Sequence, residues 1–314
     1  MRFAGLSSNP AHNGRGGRVS GPRLDAAASC ALLSISFVFL TLHGETPLPY
    51  PQQIAKFRSE READIKKEWL TLVGLYWLKE GDNKIGSNPN STVPLPASTP
   101  AFVGTFSLKN GKVYFRPASP GVLKLEKGGT ATAREVNDEV FLSGTVNFFL
   151  IRRGERVGVR VKDSASPALK EFTHLKWFAT DPTWRVTAKF TPWDKPHKLT
   201  YDTVIPGLRE DFESPGYITF RRNNQEYKLE PVEEDGQYFY VFRDTTSGKA
   251  TYPAARYLYS DPAKNGSVVL DFNTATNPPC AFTNFATCPL PPPQNRLRSD
   301  ITAGELDEHL HDAR

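Results

Sequence analysis

Several short motifs that mark large enzyme classes are missing from this chain. It contains no Gly-x-Ser-x-Gly, no His-Glu-x-x-His and no P-loop, and its histidines are scattered. A serine-triad hydrolase, a zinc peptidase of the His-Glu-x-x-His type and a P-loop nucleotide-binding enzyme are therefore not supported. The Cys-x-x-Cys spacing of many zinc sites is missing as well. We accordingly expect no metal ion and no cofactor.

The chain also lacks a concentrated basic segment, although the formal net charge of its 314 residues is +5. Residues 1–44 supply three of these five charges, because they hold four arginines and one aspartate. The remaining chain is weakly basic, and no stripe of lysine and arginine runs through it. Binding to nucleic-acid phosphates needs such a stripe, so we expect no nucleic-acid partner.

Long apolar runs are rare, and the chain has one of them, at residues 26–42. The run follows several arginines and precedes the small residue Gly44, which is the order found in a secretory signal peptide. Its length also approaches that of a membrane-spanning helix. We expect an exported protein, periplasmic or secreted; the alternative is an uncleaved helix at residues 26–42 that anchors the chain in a membrane.

Cysteine is scarce, with three residues in the whole chain. Cys30 lies within the apolar run and would be removed together with a signal peptide. Cys280 and Cys288 then form an even pair in a chain bound for an oxidising compartment, which predicts a disulfide between them. Structural free thiols and a reactive role are the alternatives.

The residues that are plentiful predict a mostly β protein. Glycine (23) and proline (26) punctuate short runs of β-branched and aromatic residues. The pair Asn110-Gly111 predicts a tight hairpin, because both residues accept the positive φ of a type I′ turn. Many short strands separated by turns, with residues 184–191 and 197–204 among the candidates, favour a sandwich or a barrel. Residues 51–69 are the one strong helix candidate, with apolar residues near helical spacing.

These patterns predict two packed β-domains, sandwich and/or barrel-like, with one N-terminal helix and a proline-rich C-terminal loop. We divide the chain into a signal peptide or anchor at residues 1–44, a helix with a sandwich-like domain at 45–170, and a second β-domain at 171–314. Residues 289–293 carry four prolines and cannot continue a sheet, because proline lacks the backbone donor.

Polar residues gather where the last predicted strand enters this loop. Asp271 and Asn273 lie two apart at a strand end, which places them on one face, and sites are often built where strands feed long loops. We expect a polar site in which Asp271 and Glu305 act as base and acid. The side chains expected to bind its ligand are Arg256, Asn273, Asn277, Asn295 and Arg160. The alternative is structural, because Asp and Asn also cap turns and pin loops.

The same stretch carries a family resemblance. Its motifs are Asp271-Phe272-Asn273, Asn277-Pro278-Pro279-Cys280, Cys288-Pro289-Leu290-Pro291-Pro292-Pro293-Gln294-Asn295-Arg296 and Ala303-Gly304-Glu305. With Thr71-Leu72-Val73-Gly74-Leu75-Tyr76-Trp77-Leu78 upstream, the chain resembles the bacterial domain-of-unknown-function 1684 family, which implies no settled activity. Gln294 departs from the glutamate that members of this family often carry.

A second resemblance falls on the predicted first domain, near residues 70–116. Residues 85–96 are similar to the opening of a forkhead-associated domain, a β-sandwich that binds phosphothreonine. Ser87 stands where that family has its arginine, and no Ser-x-x-His follows. The resemblance therefore implies a sandwich shape without the side chain that would pair a phosphate.

Two functions follow as hypotheses. The first is an exported protein of unknown activity with a polar small-molecule-binding or hydrolase-like site near the C-terminal motif. The second is a non-catalytic envelope module that binds a protein or a glycan partner through its loops. In either case the expected partner is an unknown small molecule or a component of the cell envelope.

Overall fold

The computed structural model describes residues 47–307. The predicted targeting segment, with Cys30 and the apolar run 26–42, lies outside the described residues. Apart from residues 47–49, the described structure belongs to one compact unit that begins at Tyr50. None of the helices between residues 47 and 307 has the length and apolar character needed to span a bilayer.

The predicted N-terminal helix is confirmed. Helix α1 (Tyr50–Asp64) continues into a π-helical turn (Ile65–Trp69). The apolar residues that predicted it face inward, since Ile54 is 3% exposed and Ile65 is fully buried. This helix packs along the C-terminal segment of the chain and later supplies two side chains to it.

Ten short strands follow between residues 72 and 163. They are β1 (Leu72–Trp77), β2 (Gly81–Gly86), β3 (Val93–Pro94), β4 (Gly104–Lys109), β5 (Lys112–Pro117), β6 (Lys124–Leu125), β7 (Arg134–Val136), β8 (Val140–Ser143), β9 (Val146–Arg153) and β10 (Arg156–Asp163). They form two five-stranded sheets, in the orders β1-β10-β9-β8-β6 and β3-β2-β4-β5-β7. Between β4 and β5, Asn110 and Gly111 have φ values of 50° and 75°, which fits the predicted hairpin turn.

The two sheets pack face to face through phenylalanines. Phe106 and Phe115 come from one sheet, and Phe141 and Phe148 from the other; all four are buried. The ring centroids of Phe115 and Phe141 lie 4.6 Å apart, and those of Phe106 and Phe141 lie 5.6 Å apart. The spacing is that of packed aromatic pairs in a sandwich core.

A short helix, α2 (Pro167–Glu171), precedes a second set of strands. These are β11 (Arg185–Asp202), β12 (Arg209–Arg222), β13 (Gln225–Leu229), β14 (Val232–Glu234), β15 (Gln237–Phe242), β16 (Arg256–Ser260) and β17 (Ser267–Asp271). They form one sheet in the order β13-β12-β11-β17 and another in the order β14-β15-β16, with a core that includes Trp184, Phe220, Phe242 and Phe272. None of the four described sheets closes into a barrel, and the predicted mostly-β fold of packed sheets is confirmed.

One strand differs from its prediction. The sequence predicts two strands, at residues 184–191 and 197–204, whereas β11 runs through both. The ladder with β12 is irregular between Pro192 and His197, because proline cannot donate to it, but the chain direction is kept. The result is one long hairpin rather than two short strands.

The proline-rich C-terminal loop is confirmed as non-sheet structure. After β17 the chain forms three single-turn helices, Phe272–Thr274, Pro279–Ala281 and Pro293–Asn295, joined by extended segments. This loop touches both sets of sheets. Thr283 donates its hydroxyl to the carbonyl of Leu72 (3.0 Å), and Val204 donates its backbone N–H to the carbonyl of Cys288 (2.9 Å).

Candidate functional site

Arg256, predicted to bind a ligand, is fully buried at the start of β16. Its Nη1 donates to Asp244 Oδ2 (2.6 Å) and to the carbonyl of Ile301 (2.9 Å), and its Nη2 donates to the carbonyl of Ala303. Burial lowers the pKa of Arg256, and Asp244 opposes that shift. The guanidinium therefore fastens the last described segment of the chain to the second core.

Asn295 also holds the loop in place. Its Oδ1 accepts the backbone N–H of Glu230 (2.8 Å), while its Nδ2 donates to the carbonyls of Glu230 (2.9 Å) and Val241 (3.0 Å). A proline-rich segment cannot form a regular ladder of backbone hydrogen bonds with a strand. The Asn295 side chain supplies hydrogen bonds to the neighbouring backbone instead. Its side-chain oxygen and nitrogen are thus both in use.

Asp271 and Asn273 contact the first residue of α1. The hydroxyl of Tyr50 donates to both carboxylate oxygens of Asp271, at 2.9 and 3.0 Å, and accepts from Asn273 Nδ2 (2.9 Å). Asn273 Oδ1 further accepts the backbone N–H of Asp181 (2.9 Å). Burial and then the bond to Asp271 raise the pKa of Tyr50.

Glu305 and Asn277 lie at the other end of the same helix. Arg61 places its Nε 3.4 Å from Glu305 Oε2 and donates from Nη2 to the carbonyl of Asn277 (2.7 Å). Glu305 is 1% exposed, and burial raises its pKa to about 7 although Arg61 opposes the shift. Two buried acceptors, Glu305 Oε1 and Asn277 Oδ1, have no donor among the described residues.

The predicted pair of Asp271 and Glu305 is held by different residues of α1. Asp271 accepts the hydroxyl of Tyr50, and Glu305 lies against Arg61. The backbone segments that carry them touch, since Glu305 donates its N–H to the carbonyl of Ala275 at 2.8 Å. Each carboxylate is thus engaged by a separate side chain of the helix.

Cys280 and Cys288 are neighbours in space, but both are free thiols in this structure, so the predicted disulfide is not formed in it. The backbone N–H of Cys280 donates to Cys288 Sγ at 3.2 Å. The thiols are 8% and 4% exposed, and hydrogen bonding to Cys288, followed by burial, raises the pKa of Cys280.

Arg160, the remaining predicted ligand-binding residue, differs from the others because it is half-buried. It lies on β10 opposite Phe149 of β9, and Arg153, four residues after Phe149, shares that face. The opposite face, with Phe148 and Val159, fills the first core. The two arginines thus point away from the sandwich interior.

The surroundings of Arg160 leave its charge uncompensated. Its guanidinium lies over the ring of Trp69, 5.6 Å from the centroid, and its Nε is buried with no hydrogen-bond partner among residues 47–307. The carboxylates that act on its charge are Glu210 and Glu68. Each forms an ion pair with another cation, Glu210 with Arg153 (2.9 Å) and Glu68 with Lys162.

Arg153 links this cluster to the family motif. Its Nε donates to Thr287 Oγ1 (3.1 Å), the residue before Cys288. Burial, strengthened by Arg153, lowers the pKa of Arg160 to about 10, so the guanidinium stays charged at neutral pH. Burial raises the pKa of Glu210 against the pull of both arginines.

Tyr201 completes the cluster. It pairs with Glu210 in the register of β11 and β12, so the two side chains are neighbours on one face. Tyr201 is 1% exposed, and its hydroxyl has no hydrogen-bond partner among the described residues. We name Arg153, Arg160, Tyr201, Glu210 and Thr287 the arginine cluster.

Sequence reasoning found one of these five residues, Arg160, because it stood near a strand end. Arg153 carried a weak signal, since it ends a strand and shares the face of Arg160 once the hairpin register is known. Tyr201, Glu210 and Thr287 come from distant segments, and nothing in their local pattern points to the cluster.

The fold and the motif loop together define a mostly-β protein whose C-terminal segment crosses its sheets. Residues 170–306 match the family model described as "Protein of unknown function (DUF1684)", which confirms the resemblance of this segment to that family. In the structure Gln294, the departure from the family pattern, donates from Nε2 to Glu230 Oε2 (2.8 Å). A glutamate at position 294 would place a second carboxylate beside that of Glu230.

One solved structure with a similar sequence is the solution NMR structure of an uncharacterized protein from gene locus rrnAC0354 of Haloarcula marismortui. It is 30% identical over a match that covers 44% of this chain and 78% of that chain. The TM-score of 0.38 is too low to support a common fold. No curated protein matches the chain.

Replacing Arg256 tests whether it is structural. Arg256→Met should lower the free energy of unfolding by about 3–5 kcal/mol, because it leaves Asp244 as a buried charge and frees two carbonyls. Urea unfolding measures this loss, and Arg256→Met with Asp244→Asn should recover part of it. The matched control is Arg221→Met, at an exposed arginine. Unchanged stability in Arg256→Met would contradict the structural role.

Glu305 should make stability depend on pH. Its pKa is about 7 in the folded state against an ordinary 4.5, so between these values the folded chain binds the extra proton. Stability should therefore fall, by on the order of 3 kcal/mol, as pH rises from about 4.5 to 7, and then level off. Urea unfolding across this range should show that slope, and Glu305→Gln should remove it. Glu60→Gln, on the exposed side of α1, should keep it; a slope that survives in Glu305→Gln would assign it to another group.

Proposed function

We propose that this chain is an exported protein that binds a small anionic molecule at the arginine cluster, beside the family motif. The observation that carries the proposal is the guanidinium of Arg160. Arg160 is half-buried, and its Nε is buried without a hydrogen-bond partner among the described residues. Polar groups that are removed from water are normally hydrogen-bonded, so an unpartnered one is a candidate for contact with a ligand. The fully buried Arg256, by contrast, forms an ion pair with Asp244.

The chemistry of Arg160 fits an oxyanion. The Nε edge of a guanidinium, together with the adjacent Nη, offers two parallel donors that match a carboxylate or a phosphate. Trp69 lies against the guanidinium and limits how it can turn. The geometry of these donors is thus set before any ligand arrives, which lowers the entropy lost on binding.

Thr287 relates this site to the family motif. The loop that carries Cys280, Cys288 and the prolines approaches the sandwich at Thr287, where it meets Arg153 at 3.1 Å. In this proposal the motif loop serves as one wall of the site. Arg256, Asn273 and Asn295 then hold that wall in position rather than touching the ligand.

Arg160→Met should separate stability from binding. Removing the unpaired charge should raise the free energy of unfolding by about 1–2 kcal/mol, while ending any stabilisation by anions. The test is thermal unfolding of both proteins in acetate and in phosphate, against chloride at equal ionic strength. Arg221→Met, an exposed arginine, should respond to anions as the unchanged protein does. A destabilised Arg160→Met that still responds to anions would refute the proposal.

Export and the disulfide form a second part of the proposal. The arginines and the apolar run 26–42 support export, and the close approach of Cys280 N to Cys288 Sγ supports pairing of the two thiols in an oxidising compartment. The bond would brace the segment that carries Thr287.

Intact mass of protein recovered from its host tests both points. We expect a mature chain that starts near residue 45, resists alkylation and weighs two hydrogens less than the dithiol. The Cys288→Ser variant should take up one alkyl group, at Cys280, after denaturation. An intact N-terminus with all three cysteines alkylated would contradict export and the bond together.

A further inference from the structure

The ligand class of the arginine cluster can be narrowed further, and this step rests on the proposed function. Arg153 and Glu210 neutralise one another at 2.9 Å, and Lys162 engages Glu68. Arg160 has no ion-pair partner of its own among the described residues. A singly charged ligand could pair with it, whereas a doubly charged phosphate would bring a second negative charge close to Glu210, which itself interacts with Glu234.

Tyr201 adds a second, independent indication. It is 1% exposed and its hydroxyl is unpartnered, although most buried hydroxyls are hydrogen-bonded. It stands directly across the β11–β12 ladder from Glu210, so it flanks the ion pair that lies next to Arg160. A ligand oxygen that reached Tyr201 would satisfy this hydroxyl.

Two carboxylates, Glu230 and Glu234, act electrostatically on Tyr201. Burial, and then these two carboxylates, raise the pKa of Tyr201, so its hydroxyl keeps its proton at neutral pH. A protonated hydroxyl can both donate to a ligand hydroxyl and accept from it. Glu234 already accepts the hydroxyl of Tyr259, at 2.7 Å.

We infer that the arginine cluster binds a hydroxylated monocarboxylate, with its carboxylate on Arg160 and a hydroxyl on Tyr201. The ligand carboxylate pairs with the charge of Arg160, and the ligand hydroxyl distinguishes this ligand from apolar acids. An apolar acid of the same length should leave the Tyr201 hydroxyl unpartnered and bind more weakly. A neutral polyol should leave Arg160 unpaired and not bind.

Three six-carbon probes test this with matched size. Isothermal titration should give gluconate at least a tenfold lower dissociation constant than hexanoate, and no binding of sorbitol. Tyr201→Phe should remove the preference for gluconate while leaving hexanoate unchanged, because only the hydroxyl is lost. Tyr259→Phe, at a tyrosine already bonded to Glu234, is the control and should keep the preference for gluconate.

The outcomes separate this inference from the proposed function. If gluconate and hexanoate bind equally and both need Arg160, the anion site stands and the hydroxyl contact is wrong. If 6-aminohexanoate binds more tightly than gluconate, the second group is an ammonium and the inference is overturned. If neither acid binds and Arg160→Met changes nothing, the proposed function itself fails.

Discussion

The ion pair of Arg256 and Asp244 is fully buried, and much of the C-terminal architecture depends on it. The same guanidinium binds the carbonyls of residues 301 and 303, which places Glu305 two residues further on. Glu305 in turn holds Arg61 of α1. A charge that is expensive to bury thus organises backbone that has no sheet partner, because each of these carbonyls needs a donor.

Arg256 and Arg160 show how differently one residue type can be used. Arg256 is fully buried and its Nη atoms meet a carboxylate and two carbonyls, although its Nε has no partner among the described residues. Arg160 is half-buried on Trp69, and the acids around it are bound to other cations. The useful distinction is whether the positive charge has its own ion-pair partner within the described residues.

Local patterns predicted the local structure well. The Asn110-Gly111 turn, the helix at residues 51–69 and the non-sheet character of the proline run each depend on a few neighbouring residues, and each is confirmed. The long strand β11 shows the limit, since Pro192 interrupts the ladder without ending the strand. The backbone ladder with β12 continues on both sides of this break, and the local sequence does not specify that long-range pairing.

The candidate site was predicted less well, for a physical reason. Asp271, Asn273 and Asn295 were singled out as polar residues in an unusual loop, and the structure shows each of them bonded to backbone or to Tyr50. Polarity predicts that a residue needs a partner, but not whether that partner is protein or ligand. Glu210 and Thr287 meet Arg153 from segments 57 and 134 residues away, and only the tertiary fold specifies such contacts.

Helix α1 is synthesised early, but the residues that hold it in place are synthesised late. Tyr50 binds a residue 221 positions further along the chain, and Arg61 binds one 244 positions further. During synthesis the helix therefore lacks these contacts until nearly the whole chain has been made, because contacts between residues this far apart in sequence form last. Its inner face stays uncovered in the meantime. Loss of the last few described residues would free the far end of a helix that begins more than two hundred residues earlier. The two ends of the described chain thus form a single cooperative unit, although the sheets between them have cores of their own.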